Sequence, residues 1–271
     1  MKPDVLIDGV LVSGDDASVS VFDVGYQRGF GCFEAMRAYG GVPFRAVEHL
    51  SRLESSAAAL HLDLVDRETI AGWVSDRAAS GGDCVVRVFV SATSFDAPPR
   101  VVVFAEPIPE VPVGLRLMPL PAPWHPAGRG TELVGAKTMS YAPNLAAMRR
   151  AVAAGYDDAL LIDDDGCVLE GPTYSVGWAT DGRVYTPALG QGILGSITRA
   201  AVFEVAARAG VEVEEGRFPL EQTLAADEMF VMSTVREVRP VVRVDDVEFE
   251  PGTVTEVLAS GFRALVTEET T

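Results

Sequence analysis

The sequence predicts a two-domain protein of mixed α/β class, and three observations support that prediction. The chain has 271 residues, which suits one large or two medium domains. Segments with strand and helix patterns follow one another without the regular alternation that a doubly wound parallel sheet requires. Residues 106–114, EPIPEVPVG, have three prolines in nine positions and no periodicity, which is typical of an interdomain linker. We therefore expect one domain over 1–105 and a second over 115–271.

The first predicted domain begins with strands. The segment 5–12, VLIDGVLV, has a central Asp-Gly pair, which favours a hairpin turn. The segment 18–24, SVSVFDV, alternates apolar and polar residues as a strand does. The segment 33–45 is typical of two strands joined by a Gly-Gly turn. A helix is expected over 46–62, where apolar residues recur at helical spacing. Further elements are a second helix near 66–79 and strands in 84–92 and 100–106.

The second predicted domain mixes short strands with helices. Residues 144–156 are predicted to form a helix that ends at Gly155, and 196–210 a helix capped by Ser196. A further helix closes the chain from 253. Predicted strands are 115–120, 158–163, 166–170, 176–180, 183–187, 211–216, 228–234 and 238–244, with a short helix at 221–226 and a proline-rich loop at 121–130.

Composition and charge exclude several classes of function. The net charge of −17 argues against a nucleic-acid partner, because phosphates would be repelled. The three cysteines are scattered and form no CxxC pair, so neither a disulfide framework nor a metal site is indicated. Acidic residues interrupt the first 16 residues as they would not in a signal peptide, and no apolar run has the length of a membrane span. We expect a cytoplasmic protein with no membrane partner.

Lysine is nearly absent from the chain, which draws attention to the segment GAKTMSYAPN. Lys2 and Lys137 are the two lysines, and the other basic residues are arginine. A lysine that loses solvent becomes a nucleophile toward carbonyls and can form a Schiff base. Pyridoxal phosphate is a cofactor that is held in this way. An exposed lysine in a loop is the alternative.

A pyridoxal phosphate site also needs a carboxylate for the pyridine nitrogen and donors for the phosphate. Glu170 is a candidate for the carboxylate, and a surface acid near a turn is the alternative. Gly195, Ser196, Ile197 and Thr198 open a predicted helix, where backbone N–H groups favour anions, although ordinary capping would place the same residues there. Further donors are offered by Ser233 and Thr234 at a strand end.

A cation for the phosphate is offered by the first predicted helix. Arg52 lies three residues after His49, so both side chains are expected on one side of that helix. A solvated helix face is the alternative for Arg52. We interpret His49 as a structural residue.

Four segments, read in chain order, resemble the fold-type IV pyridoxal-phosphate enzymes. This group includes D-amino acid and branched-chain aminotransferases, (R)-amine transaminases and aminodeoxychorismate lyase. The segments are 29–57, 137–175, 184–206 and 226–241. The resemblance implies a small α/β domain, a larger pseudo-barrel domain and a homodimer with the site between the domains.

The resemblance also implies residue roles. Lys137 would form the Schiff base with pyridoxal phosphate and move the proton between substrate and cofactor. Glu170 would pair with the pyridine nitrogen, and Tyr141 would reach the ring hydroxyl. The phosphate would be held by Arg52, Ile197, Thr198 and Thr234, with Ser233 beside them.

The chain departs from the group at several positions. Ser175 stands where an asparagine is usual, and Phe30 replaces the acid of a GDG motif. Phe33 stands at the position of a tyrosine that binds the substrate carboxylate in D-amino acid aminotransferases of the bacillus type. The Arg-x-His pair of those enzymes is missing. Arg28 and Arg87 are the remaining candidates for that carboxylate, with a structural salt bridge as the alternative.

The expected reaction is transamination between an amino donor and a keto acid such as 2-oxoglutarate or pyruvate. The chain is short, and residues 226–241 look more like the D-amino acid branch, so D-amino acids or (R)-amines are favoured as donors. Aminodeoxychorismate lyase, which releases 4-aminobenzoate and pyruvate, and a branched-chain L-amino acid aminotransferase are the alternatives within the fold. A non-catalytic binding protein on the same scaffold is a third class of hypothesis.

Overall fold

The computed structural model describes residues 2–126 and 130–271 and divides into two compact units. Unit 1 consists of Met1–Pro109, Ala136–Tyr141 and Glu269–Thr271. Unit 2 consists of Glu110–Gly135 and Ala142–Glu268.

Unit 1 is built on a six-stranded antiparallel sheet with the order β2-β1-β6-β5-β3-β4. Its first hairpin turns at Asp8 and Gly9, whose φ angles of 51° and 81° are typical of an Asp-Gly turn. The strands are β1 (Val5–Ile7), β2 (Val10–Val12), β3 (Gly31–Tyr39), β4 (Val42–Pro43), β5 (Cys84–Ser91) and β6 (Arg100–Glu106).

Three helices belong to unit 1: α1 (Val24–Arg28), α2 (Ala46–Ala59) and α3 (Arg67–Gly81). Helix α2 buries Leu50 and Leu53, while α3 buries Ile70 and Val74. These side chains join β-branched residues of β5 and β6 in one apolar core. The core packs one face of each helix against the sheet, which fixes where the other α2 side chains lie.

Unit 2 is built on an eight-stranded mixed sheet. Its order is β11-β10-β9-β12-β13-β7-β8, and β14 pairs with β13. Strand β7 is parallel to both β8 and β13, while β9, β12 and β13 are antiparallel neighbours. The strands are β7 (Leu115–Pro121), β8 (Asp158–Ile162), β9 (Ser175–Thr180), β10 (Arg183–Pro187), β11 (Val213–Gly216), β12 (Glu228–Ser233), β13 (Glu237–Val244) and β14 (Val247–Glu248).

The helices of unit 2 have clear start and stop signals. Helix α5 begins after Ser196, whose hydroxyl accepts the N–H of Arg199 at 3.2 Å, and it ends at Gly210 in the left-handed region. The carboxylate of Glu228 accepts the first-turn N–H groups of the last helix. The helices are α4 (Ala142–Ala153), α5 (Ile197–Ala209), α6 (Leu220–Leu224) and α7 (Thr253–Thr270), with a 3-10 turn at Leu189–Gln191.

Two strand predictions are wrong. Residues 18–24 form no strand, because Val19 and Val21 lie exposed and the Asp23 side chain caps α1 by accepting the N–H of Tyr26. Residues 166–170 form isolated bridges only, since Gly166 turns the chain back along β8. The other predicted helices and strands appear within a few residues of their predicted bounds.

The structural division differs from the predicted domains at three places: Ala136–Tyr141, Glu269–Thr271, and the expected 106–114 linker, which divides after Pro109. Residues 115–271 were expected to form a continuous second domain, but Ala136–Tyr141 groups with unit 1. The physical reason is that this segment makes backbone hydrogen bonds to β3. Residues 127–129 of the predicted proline-rich loop lie outside the described residues.

Across the described ranges, none of the helices combines the length and apolar character needed to cross a lipid bilayer. The cysteines Cys32, Cys84 and Cys167 are buried and free.

Candidate active site

Lys137 is held by its backbone at the edge of β3. Its carbonyl accepts the N–H of Phe33 at 3.0 Å, and its own N–H donates to the Ser56 hydroxyl at 3.0 Å. Two residues on, Met139 N–H donates to the Gly31 carbonyl at 2.7 Å. A Cβ at Gly31 would lie 2.3 Å from the backbone carbonyl oxygen of Val90 on β5 and 2.6 Å from the Met139 sulfur, so this position requires glycine. This pairing with β3 therefore fixes the position of the Lys137 backbone, from which the side chain extends.

The Lys137 side chain is half-buried among aromatic rings. Its Nζ lies 4.4 Å from the ring centroid of Phe33 and 5.4 Å from that of Tyr141. These two rings meet edge to face at 5.2 Å, and Phe33 stacks on Phe89 at 5.5 Å. The rings fix the path of the amine through cation–π contact and packing. The structure thus brings together three of the predicted residues, Lys137, Phe33 and Tyr141.

The predicted phosphate ligand Arg52 binds a buried carboxylate that sequence analysis missed. Arg52 Nε and Nη2 donate to the two oxygens of Glu34 at 2.7 and 2.8 Å. His49 Nδ1 lies 2.8 Å from Glu34 Oε2, and because a carboxylate can only accept, Nδ1 carries the proton. Glu34 is fully buried on β3 and His49 is almost so. We call Glu34, His49 and Arg52 the β3–α2 triad.

The electrostatics of the triad favour an ionised carboxylate and a neutral imidazole. Burial by itself raises the pKa of Glu34, but hydrogen bonds from Arg52 and His49 outweigh it and hold that pKa at about 2. Burial also lowers the pKa of His49, although the Glu34 carboxylate opposes this. Cys32, two residues before Glu34, has its pKa raised to about 12 by burial and by the Glu34 charge, so its thiol is no nucleophile.

Glu170 lies in unit 2 between a histidine and the loop before α5. Its Oε1 is 3.3 Å from His125 Nε2, and its Oε2 accepts the N–H of Leu194 at 3.2 Å. The next residue must be glycine, because a Cβ at Gly171 would lie 2.0 Å from the ring of Tyr174. Each carboxylate oxygen accepts two hydrogen bonds, so Glu170 retains capacity for a further donor such as a protonated ring nitrogen.

The start of α5 offers backbone donors after the Leu194 contact to Glu170. The N–H groups of Ile197 and Thr198 have no acceptor among the described residues, as expected for a first helical turn. A Cβ added at Gly195 would meet no atom within 4 Å, so there is open space beside these donors. Unpaired N–H groups beside open space at a helix N-terminus are able to donate to an anion, which is the role predicted for them.

The predicted donors at the end of β12 are partly occupied. The Ser233 hydroxyl accepts the N–H of Arg236 at 3.1 Å, which leaves its proton available to another acceptor. Thr234 follows in the turn before β13 and is half-buried. Ser175, in register with Met232 on the neighbouring strand, is buried, and its hydroxyl has no partner in the described part of the chain.

The two candidates for a substrate carboxylate have different positions. Arg87 on β5 donates to Glu106 from Nε at 2.7 Å, so the structure supplies the salt-bridge alternative for it. Arg28 ends α1 and is exposed.

Two residues were not predicted from the sequence, Glu34 and His125. Both contact residues that were predicted for the site. The signal for Glu34 was its alternation with Phe33, which places the two side chains on opposite faces of β3. A buried acid on the helix-facing side of a strand requires a basic partner, and α2 supplies two. His125 follows a proline-rich stretch with no periodicity, so no sequence signal identified it.

The chain matches a known family model over most of its length. The family model described as amino-transferase class IV matches residues 31–244. The chain belongs to this class IV aminotransferase family, which confirms the predicted family and the predicted enzyme class.

Curated relatives of the chain carry three different names. A putative branched-chain-amino-acid aminotransferase of Methanocaldococcus jannaschii is 32% identical, with 89% of this chain and 88% of the relative covered. An aminodeoxychorismate lyase of Bacillus subtilis is 28% identical, with 90% and 88% covered. A D-alanine aminotransferase of Bacillus licheniformis is 28% identical, with 98% of both chains covered.

Solved structures match the fold. A fold IV transaminase from Curtobacterium pusillum has a TM-score of 0.88 at 30% identity, covering 96% of this chain and 92% of its own. The branched-chain aminotransferase of Thermoproteus uzoniensis with norvaline has a TM-score of 0.90 at 29% identity, with 99% and 96% covered. A hypothetical aminotransferase from Mycobacterium tuberculosis in its PLP-bound form has a TM-score of 0.90 at 25% identity, with 98% and 99% covered. The predicted mixed α/β, fold-type IV class is confirmed.

The triad generates a stability prediction. Replacing Glu34 with glutamine removes the buried negative charge that pairs with the half-buried Arg52 guanidinium, so we expect a loss of about 3 kcal/mol of unfolding free energy at pH 7. The pKa of Glu34 is held at about 2 in the folded protein, against an ordinary 4.5. Between these values the unfolded chain binds more protons, so wild-type stability falls as pH drops from about 4.5 to about 2.

Denaturant unfolding monitored by circular dichroism across this pH range measures both effects. The Glu34→Gln variant should lose the part of the acid-dependent slope that Glu34 contributes, while the part due to other carboxylates with lowered pKa values, such as Asp157 and Asp163, should remain. Glu54→Gln on α2 is the control, since the pair that Glu54 forms with Arg67 is exposed and should contribute little. Equal effects of the two substitutions would contradict the role of the triad.

Proposed function

We propose that this class IV aminotransferase moves an amino group between an amino acid or amine and a 2-keto acid, with D-amino acids or (R)-amines as preferred donors. The observation that carries the proposal is Lys137, one of two lysines in the chain, whose backbone is hydrogen-bonded to β3 and whose amine lies among aromatic rings. A branched-chain L-amino acid aminotransferase and an aminodeoxychorismate lyase are the alternative functions, because relatives carry these names.

The cofactor is pyridoxal phosphate, which supplies an aldehyde for a Schiff base and an electron-withdrawing ring. Lys137 Nζ is the group that would hold the aldehyde carbon. When a substrate amine takes its place, the freed Nζ would accept the proton from the substrate Cα as a general base. The backbone bonds to Phe33 and Ser56 keep the lysine anchored while its side chain moves. Tyr141 would donate to the ring hydroxyl.

The residues of unit 2 would bind the other ends of the cofactor. Glu170, already fixed by His125 and Leu194, would accept a hydrogen bond from the protonated ring nitrogen and keep that proton in place. The open N–H groups of Ile197 and Thr198 would hold the phosphate. Ser233, Thr234 and Arg52 are the other ligands that we propose for the phosphate.

Several features support D-amino acids or (R)-amines as donors. Arg87 already pairs with Glu106, so an obligatory carboxylate trap at that residue would require breaking a salt bridge. Phe33 presents an apolar ring beside the lysine, which suits an amine with an apolar group. Arg28 is exposed and is the candidate that remains for a substrate carboxylate.

The keto acid acceptor would be 2-oxoglutarate or pyruvate. We further propose that the protein works as a homodimer in the cytoplasm.

The lysine assignment predicts a spectral result. Lys137→Ala should abolish the visible absorbance that appears when pyridoxal phosphate is added to the purified protein, because no amine remains at the site. Lys2→Ala is the matched control, since Lys2 is exposed and is the other lysine of the chain. It should retain the band at wild-type intensity. A coloured Lys137→Ala protein with a Schiff-base band would contradict the assignment.

A half-reaction screen tests the substrate class. The holoenzyme is mixed with one amine at a time, without a keto acid, and the change in its absorbance spectrum is followed. D-alanine, D-glutamate or (R)-phenylethylamine should convert the spectrum at least about ten times faster than its mirror image, a difference of about 1.4 kcal/mol in activation free energy.

Other outcomes of the screen identify the alternatives. Faster conversion by L-leucine or L-valine would favour the branched-chain enzyme. No conversion by any amine, together with pyruvate release from aminodeoxychorismate, would favour the lyase.

A further inference from the structure

The hydroxyl of Ser56 connects helix α2 to the lysine segment within unit 1. Ser56 is 1% exposed, and its hydroxyl makes two hydrogen bonds. It donates to the Arg52 carbonyl at 2.8 Å and accepts the N–H of Lys137 at 3.0 Å. A serine hydroxyl has one proton, so the bond to Arg52 leaves the oxygen lone pairs for Lys137.

We propose that Ser56 is a positioning residue for the catalytic lysine. It holds the main chain of Lys137 so that the amine reaches the proton on the substrate Cα. The inference rests on the proposed function, because it concerns the same lysine and the same proton transfer. Ser56 acts through Lys137 and takes no part in the proton transfer itself.

The Lys137 backbone is bonded on both sides of its Cα. The N–H belongs to the peptide unit shared with Ala136 and is held by α2, whereas the carbonyl belongs to the next peptide unit and is held by Phe33 on β3. Peptide units are planar, so fixing both of them fixes the two rotatable main-chain angles of Lys137. These angles set the direction in which the side chain leaves the backbone. Loss of the Ser56 bond would free one of the two peptide units.

The helix that carries Ser56 is itself fixed to β3. His49, Arg52 and Ser56 recur at helical spacing, so their side chains share one face of α2. The first two bond the buried Glu34 carboxylate on β3, and the third bonds Lys137. The two elements that hold the lysine are therefore joined to each other by an ion pair, which keeps the Ser56 hydroxyl in place.

The neighbouring serine offers a matched control. The Ser55 hydroxyl donates to the Ser51 carbonyl at 3.0 Å, so it makes the same bond to the residue four positions earlier that Ser56 makes. Ser55 is exposed, and the Lys137 N–H goes to Ser56. Ser55→Ala thus removes a helix hydroxyl and leaves the lysine contact intact, whereas Ser56→Ala removes the acceptor of the lysine N–H.

Amide exchange tests the hydrogen bond without the cofactor. Labelling with nitrogen-15 lysine gives NMR amide signals for Lys2 and Lys137, and a Lys2→Arg variant identifies which is which. In the full chain without added cofactor, Ser56→Ala should speed up exchange of the Lys137 N–H at least about tenfold, because it loses its acceptor. Ser55→Ala should leave the exchange rate at the wild-type value. Equal exchange in Ser56→Ala and the wild type would overturn the proposal.

The half-reaction of the holoenzyme tests the role in catalysis. D-alanine, (R)-phenylethylamine and L-leucine are mixed with each protein, and the amine that converts the wild type fastest is compared. Ser56→Ala should lower the rate constant of the spectral change at least about tenfold, since a displacement of about 1 Å can cost about 100-fold in rate. The amplitude should stay at the wild-type level, because Lys137 itself is retained. Ser55→Ala should match the wild type in both quantities.

The comparison of rate with amplitude separates positioning from folding. A partly unfolded variant loses amplitude, while its folded fraction keeps the wild-type rate constant. Ser56→Cys is the second variant, because its sulfur fills the space of the hydroxyl but is a weak acceptor. It should show the faster exchange and the lower rate constant of Ser56→Ala. A wild-type rate constant in Ser56→Cys, or a loss of amplitude alone in Ser56→Ala, would contradict the positioning role.

Failure of the proposed function would give a different result. A wild-type protein that forms no Schiff-base band with pyridoxal phosphate, or that no amine converts, would overturn the proposed transamination and the positioning role with it. A coloured, active wild type whose rate constant is unchanged by Ser56→Ala would overturn the positioning role alone.

Discussion

The backbone pairing of Lys137–Met139 with Gly31–Phe33 is the constraint on which the rest of the candidate site depends. A lysine side chain is a flexible four-carbon stem, so its amine is useful for chemistry only if the main chain below it is fixed. Here the carbonyl of Lys137, its N–H and the N–H of Met139 are all bonded, to Phe33, Ser56 and Gly31. The segment pairs with β3 through an isolated antiparallel bridge between Cys32 and Thr138, which ties the lysine backbone to the sheet.

The β3–α2 triad reinforces this arrangement from the other face of β3. Because side chains alternate along a strand, Phe33 contacts the lysine while Glu34 points to α2. Glu34 fixes Arg52 in a two-point contact, and burial keeps His49 neutral beside it. Strand β3 thus positions Lys137, the Phe33 ring beside it and the guanidinium of Arg52 on α2. A buried carboxylate with two donors is costly to disrupt, so the helix cannot slide along the strand without losing stability.

Much of this organisation was predictable from sequence, and the failures have physical reasons. The scarcity of lysine identified Lys137, while the Asp8-Gly9 turn and the α5 cap followed from local chemistry. The strand prediction for 18–24 failed because alternation does not distinguish a strand from an exposed loop when no neighbour buries the apolar side. Glu34 and His125 were missed because their roles arise from partners 15 to 45 residues away, which periodicity cannot detect.

The segment 136–141 was expected in the other unit for the same reason. Its hydrogen bonds to β3 join residues that lie far apart in the sequence, and no local sequence pattern predicts such bonds. Contacts of this kind become visible only when the two strands are placed side by side.

Borohydride trapping with peptide mass mapping tests the central claim most directly. Reduction of the holoenzyme converts a carbon–nitrogen double bond between pyridoxal phosphate and a lysine into a stable single bond. The chain offers two candidate amines besides its N-terminus, Lys2 and Lys137, so the modified peptide identifies the residue without any substitution. We expect a phosphopyridoxyl group on the peptide that contains Lys137 and none on the peptide that contains Lys2. Modification at Lys2, or an unmodified Lys137 peptide in a protein that has bound the cofactor, would contradict it.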